Sequence, residues 1–138
     1  MNDAEPLKVS VRIQAAPAVV FPYLIDSSLI IQWIGTRADL DPEPGGTFAI
    51  DINGTQVRGQ FVLVEPPNRV VFTWGVAHDD ELPEGSTTVE IVLRADGPDT
   101  IVELTHRGLT REQSRSHRSG WIEHLEVLRV SSGSTPSD

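Results

Sequence analysis

The sequence feature that most constrains this chain is an amphipathic stretch near its C-terminus, residues 110–131. Thr110 is followed three places later by Gln113, the spacing of a capping box, so a helix is predicted to begin there. At helical spacing one stripe collects Ser114, His117, Trp121, Leu125 and Leu128. The second half of this stripe is large and apolar, whereas the first half is small or polar and includes the neighbouring Gly120. We therefore predict that the second half packs on a core and that the first half forms a cavity wall.

Composition predicts one soluble globular domain. The chain has 138 residues, enough for one core, and no apolar run long enough to cross a bilayer. Its start lacks the features of a signal peptide and it has no cysteine, which points to the cytoplasm and excludes disulfides and thiolate chemistry. The formal net charge of -9 repels polyphosphates and anionic membranes, so neither nucleic acid nor membrane insertion is expected. The expected partner is a small, largely uncharged ligand.

Apolar residues alternate with polar ones over most of the chain, which predicts an antiparallel sheet. After a first strand, proline and capping signals predict two short helices, the first of them short or kinked because of Pro22. An Asn53-Gly54 pair predicts a tight hairpin, and a further short strand is possible near Asp39. The predicted helices cover 17–26 and 28–34, and the predicted strands cover 7–14, 47–52, 56–65, 69–77, 86–95 and 100–109.

An antiparallel meander must cover its apolar face, and the terminal helix is the only predicted amphipathic helix long enough to do so. The sequence therefore predicts an α+β fold in which a curved antiparallel sheet of six or seven strands wraps around a long C-terminal helix. An internal pocket is a natural by-product of such curvature. One domain is predicted over residues 7–131, with a flexible N-terminus at 1–6 and a disordered, polar tail at 132–138.

Several short motifs occur in a fixed order along the chain and resemble a known superfamily. The motifs are Val11 to Phe21 (Val-x-Ile-x-Ala-x-Pro-x-x-Val-Phe), Trp33, Pro44-Gly-Gly-Thr-Phe48, Gly59, Pro66-Pro67, Val71-Phe-Thr-Trp74, Leu104-Thr-His-Arg-Gly108 and Gly120-Trp121. As an ordered set they resemble the START-like (SRPBCC) superfamily with the helix-grip fold, and within it the bacterial branch named after the activator of heat-shock-protein-90 ATPase homologue. The resemblance implies a hydrophobic cavity between sheet and terminal helix. It does not select a reaction, because the superfamily includes carriers, receptors, cyclases and oxygenase domains.

Large side chains from several elements are the candidate lining of that cavity. Gly59 and Gly120 are expected to leave space beside them, although buried aromatic residues often simply fill a core. The predicted ligand-binding residues are Trp33, Phe48, Ile50, Phe61, Trp74, His106, Ser114, His117 and Trp121.

Two histidines are the candidates for chemistry. His106 alternates with Val102 and Leu104, so it is expected on the same face of its strand and could meet His117 there. The two could bind a polar ligand end or move a proton, but a strand histidine is more often a hydrogen-bonded structural residue. No catalytic residue is assigned, and His106 and His117 stay weak candidates.

The sequence predicts neither a metal site nor a cofactor. His117 and His124 are seven residues apart without a third ligand at zinc-site spacing, and nucleotide-binding and serine-hydrolase motifs are absent. The acidic segment 78–85 lacks the ligand spacing of a calcium loop. It is interpreted as a solvated loop that could also act as a lid.

Three functions remain open at this point. The first is binding of a small hydrophobic molecule, such as a lipid, polyketide or aromatic metabolite, in the internal cavity. The second is an enzyme of cyclase, aromatase or hydrolase type that uses the two histidines. The third is a chaperone-activating interaction, which the name of the branch suggests, although the eukaryotic co-chaperone has two domains and this chain has room for one. A homodimer formed through sheet edges is also possible.

Overall fold

A computed structural model describes residues 5–133, so the predicted flexible residues 1–4 and tail residues 134–138 lie outside the described range. The seven strands are β1 (Leu7–Ile13), β2 (Arg37–Leu40), β3 (Thr47–Ile52), β4 (Thr55–Glu65), β5 (Arg69–Trp74), β6 (Thr87–Asp96) and β7 (Asp99–Arg107). The helices are α1 (Pro17–Val20), α2 (Pro22–Ile25), α3 (Ser27–Ile30) and α4 (Arg111–Ser132). This is the predicted helix-grip arrangement, with short helices after the first strand and one long helix at the end.

The strands form one antiparallel sheet in the order β1-β7-β6-β5-β4-β3-β2. The first strand therefore pairs with the last one, while the strand suspected near Asp39 exists as β2 and forms the other edge. The predicted hairpin joins β3 to β4, and both Asn53 (φ 48°) and Gly54 (φ 85°) adopt left-handed backbone conformations. Such conformations match the twist of the flanking strands, which explains the Asn-Gly pair.

The first predicted helix is broken into two pieces, so three short helices replace the predicted two. Pro22 begins α2, and Phe21 separates it from α1. The break follows from the missing N–H of proline, which cannot continue the hydrogen bonds of the preceding turn. Asp26 caps α3 by accepting from the backbone N–H groups of Ser28 (2.8 Å) and Leu29 (3.1 Å).

Gly59 has a different role from the one expected. A Cβ atom at this position would collide with the backbone carbonyl oxygen of Thr73. The glycine thus allows two backbones to approach closely, and it opens no space in a cavity. Near it, the pairing of β4 with β5 shifts register between Phe61 and Leu63, an irregularity that bends the sheet.

The long helix begins as predicted. Thr110 Oγ1 accepts from the backbone N–H of Gln113 (3.1 Å), and Gln113 Oε1 accepts from the backbone N–H of Thr110 (2.9 Å), which completes the capping box. The helix ends at Ser132, which is buried, so this residue belongs to the helix and not to the predicted tail 132–138. Trp121, Leu125 and Leu128 are buried, whereas the N-terminal half of the stripe is only half-buried.

No helix within residues 5–133 is long and apolar enough to cross a membrane.

Replacement of Leu125 by alanine should lower the free energy of unfolding by about 2–5 kcal/mol, because it removes a fully packed side chain and leaves a cavity. Leu125 has an exposed fraction of 2%. Val130→Ala, on the same helix but with 63% exposure, is the matched control and should change stability by no more than about 0.5 kcal/mol. Urea denaturation of both variants measures the difference. Equal effects would mean that α4 packs through another face.

Candidate functional site

A chain of hydrogen bonds through His106 connects α4 to three strands of the sheet. The indole Nε1–H of Trp121 donates to His106 Nδ1 (3.0 Å). An indole nitrogen can only donate, so Nδ1 is an acceptor and His106 carries its proton on Nε2. That Nε2–H donates to Thr87 Oγ1 (2.9 Å), and the Thr87 hydroxyl donates to the carbonyl oxygen of Trp74 (2.7 Å). We call these four residues the histidine relay.

Burial keeps His106 neutral. Its side chain has 0% exposure, and burial, with a smaller contribution from the neighbouring His117, lowers the pKa of His106 from 6.5 to about 3. The alternative considered from sequence, a hydrogen-bonded structural histidine, describes this residue, because both ring nitrogens already have partners.

The structure does bring the two candidate histidines together. The ring centroids of His106 and His117 are 5.3 Å apart, so the meeting that the alternation along β7 made possible does occur. His117 is half-buried, and its Nδ1 lies 2.9 Å from the carbonyl oxygen of Gln113. A carbonyl only accepts, so Nδ1 carries a proton and the second nitrogen, Nε2, is directed away from the helix backbone.

A cleft of about 180 Å³ lies between the sheet and the N-terminal half of α4. A Cβ atom added at Gly120 would meet nothing within 4 Å, so this glycine does leave open space. The cleft is lined by Ile52, Trp74, Ser116, His117, Gly120, Trp121 and His124. Three of the predicted ligand-binding residues are in this set, whereas Ser114 is not.

Sequence reasoning missed Ile52, Ser116 and His124. His124 is seven residues after His117 and three after Trp121, so the helical repeat that selected those two residues also contained the signal for it. Its ring packs edge-on to Trp121, with centroids 6.2 Å apart, and burial lowers the pKa of His124. Ser114 is half-buried on the predicted stripe, whereas the exposed Ser116 borders the cleft in one row with Gly120 and His124.

The remaining predicted residues lie deeper and are tightly packed. Phe48 stacks on Phe72 with centroids 3.9 Å apart and contacts Phe61 edge-on at 5.5 Å. The interior space among these side chains is too small to hold a water molecule. Its borders are formed by Trp33, Phe48, Ile50, Trp74 and Trp121. These side chains fill the core in this structure, and the open space lies at its rim. Direct ligand contact by Trp33, Phe48, Ile50, Phe61, His106 and Ser114 stays a prediction.

One of the three indole groups has no hydrogen-bond partner. The indole N–H of Trp33 donates to the carbonyl oxygen of Tyr23 (2.8 Å), and the indole N–H of Trp121 donates to His106 in the histidine relay. Trp74 Nε1 is buried, yet nothing in residues 5–133 accepts from it. A buried donor without a partner is uncommon in folded proteins and requires an explanation.

The acidic segment is attached to the domain and is not simply solvated. Leu82 is buried, and Asp79 Oδ1 accepts from the backbone N–H groups of Glu81 (2.8 Å) and Leu82 (3.2 Å). Gln113 Nε2–H donates to the carbonyl oxygen of Glu81 (2.7 Å), which joins the segment to the start of α4. A role as a lid stays a prediction. Across the described residues, no three His, Asp or Glu side chains are grouped so that they could hold a metal ion.

The depressed pKa of His106 predicts that the fold loses stability in mild acid. The unfolded chain binds a proton near pH 6.5, whereas the folded chain resists protonation until about pH 3, so stability falls as the pH decreases between these values. From about pH 7 to about pH 5 the contribution of this one group is about 2 kcal/mol. His106→Gln has a neutral side chain with both a donor and an acceptor, and should lack this part of the pH dependence. Urea unfolding of the wild type and the variant at both pH values measures the free energy of unfolding. If the variant has the same pH dependence as the wild type, His106 is not the cause of it.

Comparisons with known proteins agree with the fold. MLL2253 from Mesorhizobium loti is 24% identical, with a TM-score of 0.77, and the match covers 90% of this chain and 95% of that chain. CalU16 from Micromonospora echinospora is 27% identical, with a TM-score of 0.71 and coverage of 90% and 73%. The Aha1 dimer from Colwellia psychrerythraea is 16% identical, with a TM-score of 0.82 and coverage of 94% and 96%. No curated protein matches the chain.

The model of one protein family spans most of the chain. The family described as Activator of Hsp90 ATPase homolog 1-like protein matches residues 14–131. This range contains the three short helices, strands β2 to β7 and nearly all of α4. The chain therefore belongs to the Activator of Hsp90 ATPase homolog 1-like family, within the START-like superfamily that the ordered motifs predicted.

Proposed function

We propose that this protein binds a small hydrophobic molecule in the cleft between the sheet and the N-terminal half of α4. The observation that supports this most strongly is the open space at Gly120, in the middle of a long helix. A glycine there lowers helix stability by about 1 kcal/mol relative to alanine. The space that this glycine leaves open can hold part of a ligand, which would explain why a residue that lowers helix stability occurs here.

The size and lining of the cleft indicate the size of the ligand. An engineered apolar cavity of about 150 Å³ holds one benzene molecule, and this cleft measures about 180 Å³. Two indole rings, those of Trp74 and Trp121, form part of its wall, with centroids 5.0 Å apart. A molecule with one aromatic ring and a short substituent fits this volume. Larger lipids or polyketides would need the core side chains to move.

Binding is better supported than catalysis by the two histidines. A general acid or base needs a ring nitrogen that can reach the substrate. Both nitrogens of His106 are engaged in the histidine relay, so proton transfer there would have to break the hydrogen bond from Trp121 or the one to Thr87. Of the two histidines, only His117 has a ring nitrogen that neither the histidine relay nor its own helix engages. One such histidine is better suited to contacting a ligand than to acid-base catalysis.

The chaperone-activating role receives less support from the structure. A similar fold is found in PFC0360w, an HSP90 activator from Plasmodium falciparum, but at 19% identity the likeness concerns the fold alone. No feature of the cleft favours a protein partner over a small molecule. We also expect the protein to act in the cytoplasm, in agreement with its cysteine-free composition.

Filling the space at Gly120 should abolish binding without unfolding the protein. Gly120→Leu places a side chain in the cleft, while Ser119→Leu adds the same side chain to the exposed side of the helix and is the matched control. A panel of one-ring compounds, including toluene, indole and acetophenone, is tested by thermal shift and tryptophan fluorescence. At a hundredfold excess over Kd, a ligand stabilises the wild type and the control by about 2.7 kcal/mol.

Gly120→Leu should show none of this stabilisation, although its own stability should equal or exceed that of the wild type, because leucine favours helix more than glycine does. If no compound stabilises the wild type, or if Gly120→Leu binds as well as the control does, the cleft is not the binding site.

We also propose that the protein forms a homodimer through the open edge of β1. Beside this edge strand lies a groove of about 610 Å³ lined by Val9, Ser10, Val11, Ile122, Glu123, Leu125, Glu126 and Val127. Ile122 and Val127 are exposed there, at 53% and 44%. The similar structure from Colwellia psychrerythraea is that of a dimer, which makes a second copy the most reasonable occupant.

Analytical ultracentrifugation tests the dimer. The wild type should sediment as a dimer at micromolar concentration, and Ile122→Glu should be monomeric, because it would bury an unpaired charge in the interface. Val62→Glu changes a residue of similar exposure (52%) on β4 and serves as the control. A monomeric wild type would exclude this interface.

A further inference from the structure

We infer that the ligand of the cleft carries an uncharged acceptor oxygen, which takes the hydrogen bond that Trp74 Nε1–H lacks. The inference rests on the proposed function and adds the chemical class of the ligand, namely a one-ring aromatic carbonyl compound such as an aryl ketone, aldehyde or ester.

The first step is the unpartnered donor itself. Every other buried side-chain polar atom in residues 5–133 has a hydrogen-bond partner, so Trp74 Nε1 stands out in an otherwise satisfied interior. An unpaired buried donor costs free energy that a suitable partner recovers. Trp74 has an exposure of 5% and its ring belongs to the wall of the cleft. A ligand in the cleft is thus close to this indole.

The second step concerns charge. The residues that line the cleft include neither lysine nor arginine, and the chain carries a formal net charge of -9. A carboxylate would lose its hydration without gaining a permanently charged partner such as lysine or arginine, which is unfavourable in a partly buried site. A neutral carbonyl oxygen accepts the indole hydrogen bond and loses much less hydration. Uncharged acceptors are therefore favoured over acids.

The third step concerns access. Because Trp74 Nε1 is covered, a ligand oxygen reaches it only if a neighbouring side chain moves. His117 is half-buried at the rim, with its ring centroid 6.4 Å from that of Trp74, and it is held through one hydrogen bond to its own helix. We assign the required motion to His117, because a change of its rotamer breaks only this one hydrogen bond. Trp121, in contrast, is fixed by the histidine relay.

A pair of probes with nearly the same shape isolates the acceptor. Acetophenone has a carbonyl oxygen where α-methylstyrene has a methylene group, so the two differ mainly in their ability to accept a hydrogen bond. Their Kd values are measured by tryptophan fluorescence and confirmed by NMR titration for the wild type and for Trp74→Phe. This variant keeps an aromatic ring but has no N–H group. Comparing the ratio of the two Kd values between proteins removes the difference in hydrophobicity of the probes.

Relative to Trp74→Phe, the wild type should favour acetophenone over α-methylstyrene by about tenfold, which corresponds to about 1.4 kcal/mol. Trp33→Phe is the matched control. Its indole N–H already donates to Tyr23, so the ratio of Kd values should stay within about twofold of the wild type. An unchanged ratio in Trp74→Phe, with both probes bound, overturns the inference and leaves the proposed function intact. If neither probe binds to the wild type while another compound of the panel does, the inference fails and the proposed function stands; if no compound binds, both proposals fail.

A second measurement uses the wild type alone, in case Trp74→Phe does not fold. The indole proton resonance of Trp74 should move downfield when acetophenone is added, because hydrogen bonding deshields the proton, and it should not do so with α-methylstyrene. If this proton resonates upfield and stays there with both probes, it points at the face of an aromatic ring. In that case the ligand does not accept from it and the inference is wrong.

Discussion

The histidine relay is the interaction on which the rest of this structure depends. Trp121 on α4, His106 on β7, Thr87 on β6 and the backbone of Trp74 on β5 are joined by consecutive hydrogen bonds that lie in the interior. Hydrogen bonds are directional and are costly to leave unmade where water is excluded. Apolar packing alone would tolerate small rotations of the helix. The relay selects one rotation, and thereby determines which residues face the sheet.

The cleft is a consequence of that fixed rotation. On the C-terminal side of Trp121, Leu125 and Leu128 are buried between helix and sheet. On the N-terminal side, the same face presents the half-buried His117 and Gly120, which has no side chain and leaves open space beside it. The two halves of α4 therefore differ in packing because their side chains differ in size, while the hydrogen bond of Trp121 to His106 holds both halves in place. The C-terminal half is packed against the sheet, whereas the N-terminal half borders the open cleft.

The fold and the approximate location of the site could be predicted from the sequence, because both depend on periodicity. The alternation along β7 placed His106 on the inner face, and the capping box fixed the start of α4, so their meeting near His117 followed. The exact partners could not be predicted in this way. Ser116 and not Ser114 lines the cleft, since the cleft lies along the row of Ser116, Gly120 and His124 beside the predicted stripe. Gly59 and Gly120 look alike in sequence, but only tertiary packing shows that a backbone fills the space beside one and nothing fills it beside the other.

The same relay that rigidifies the site also limits its chemistry. It engages both nitrogens of His106, the hydroxyl of Thr87 and the indole nitrogen of Trp121, so the hydrogen-bond donors of these groups are already in use and hold the wall in place. What remains near the cleft is a mainly apolar surface with the donor of Trp74 and the outer nitrogen of His117. In such a site, shape and hydrophobic burial supply most of the affinity, and one or two polar contacts fix orientation. For the ligand proposed above, we expect selectivity among molecules of similar size to depend on those few atoms, because a buried polar group left without a hydrogen-bond partner is costly.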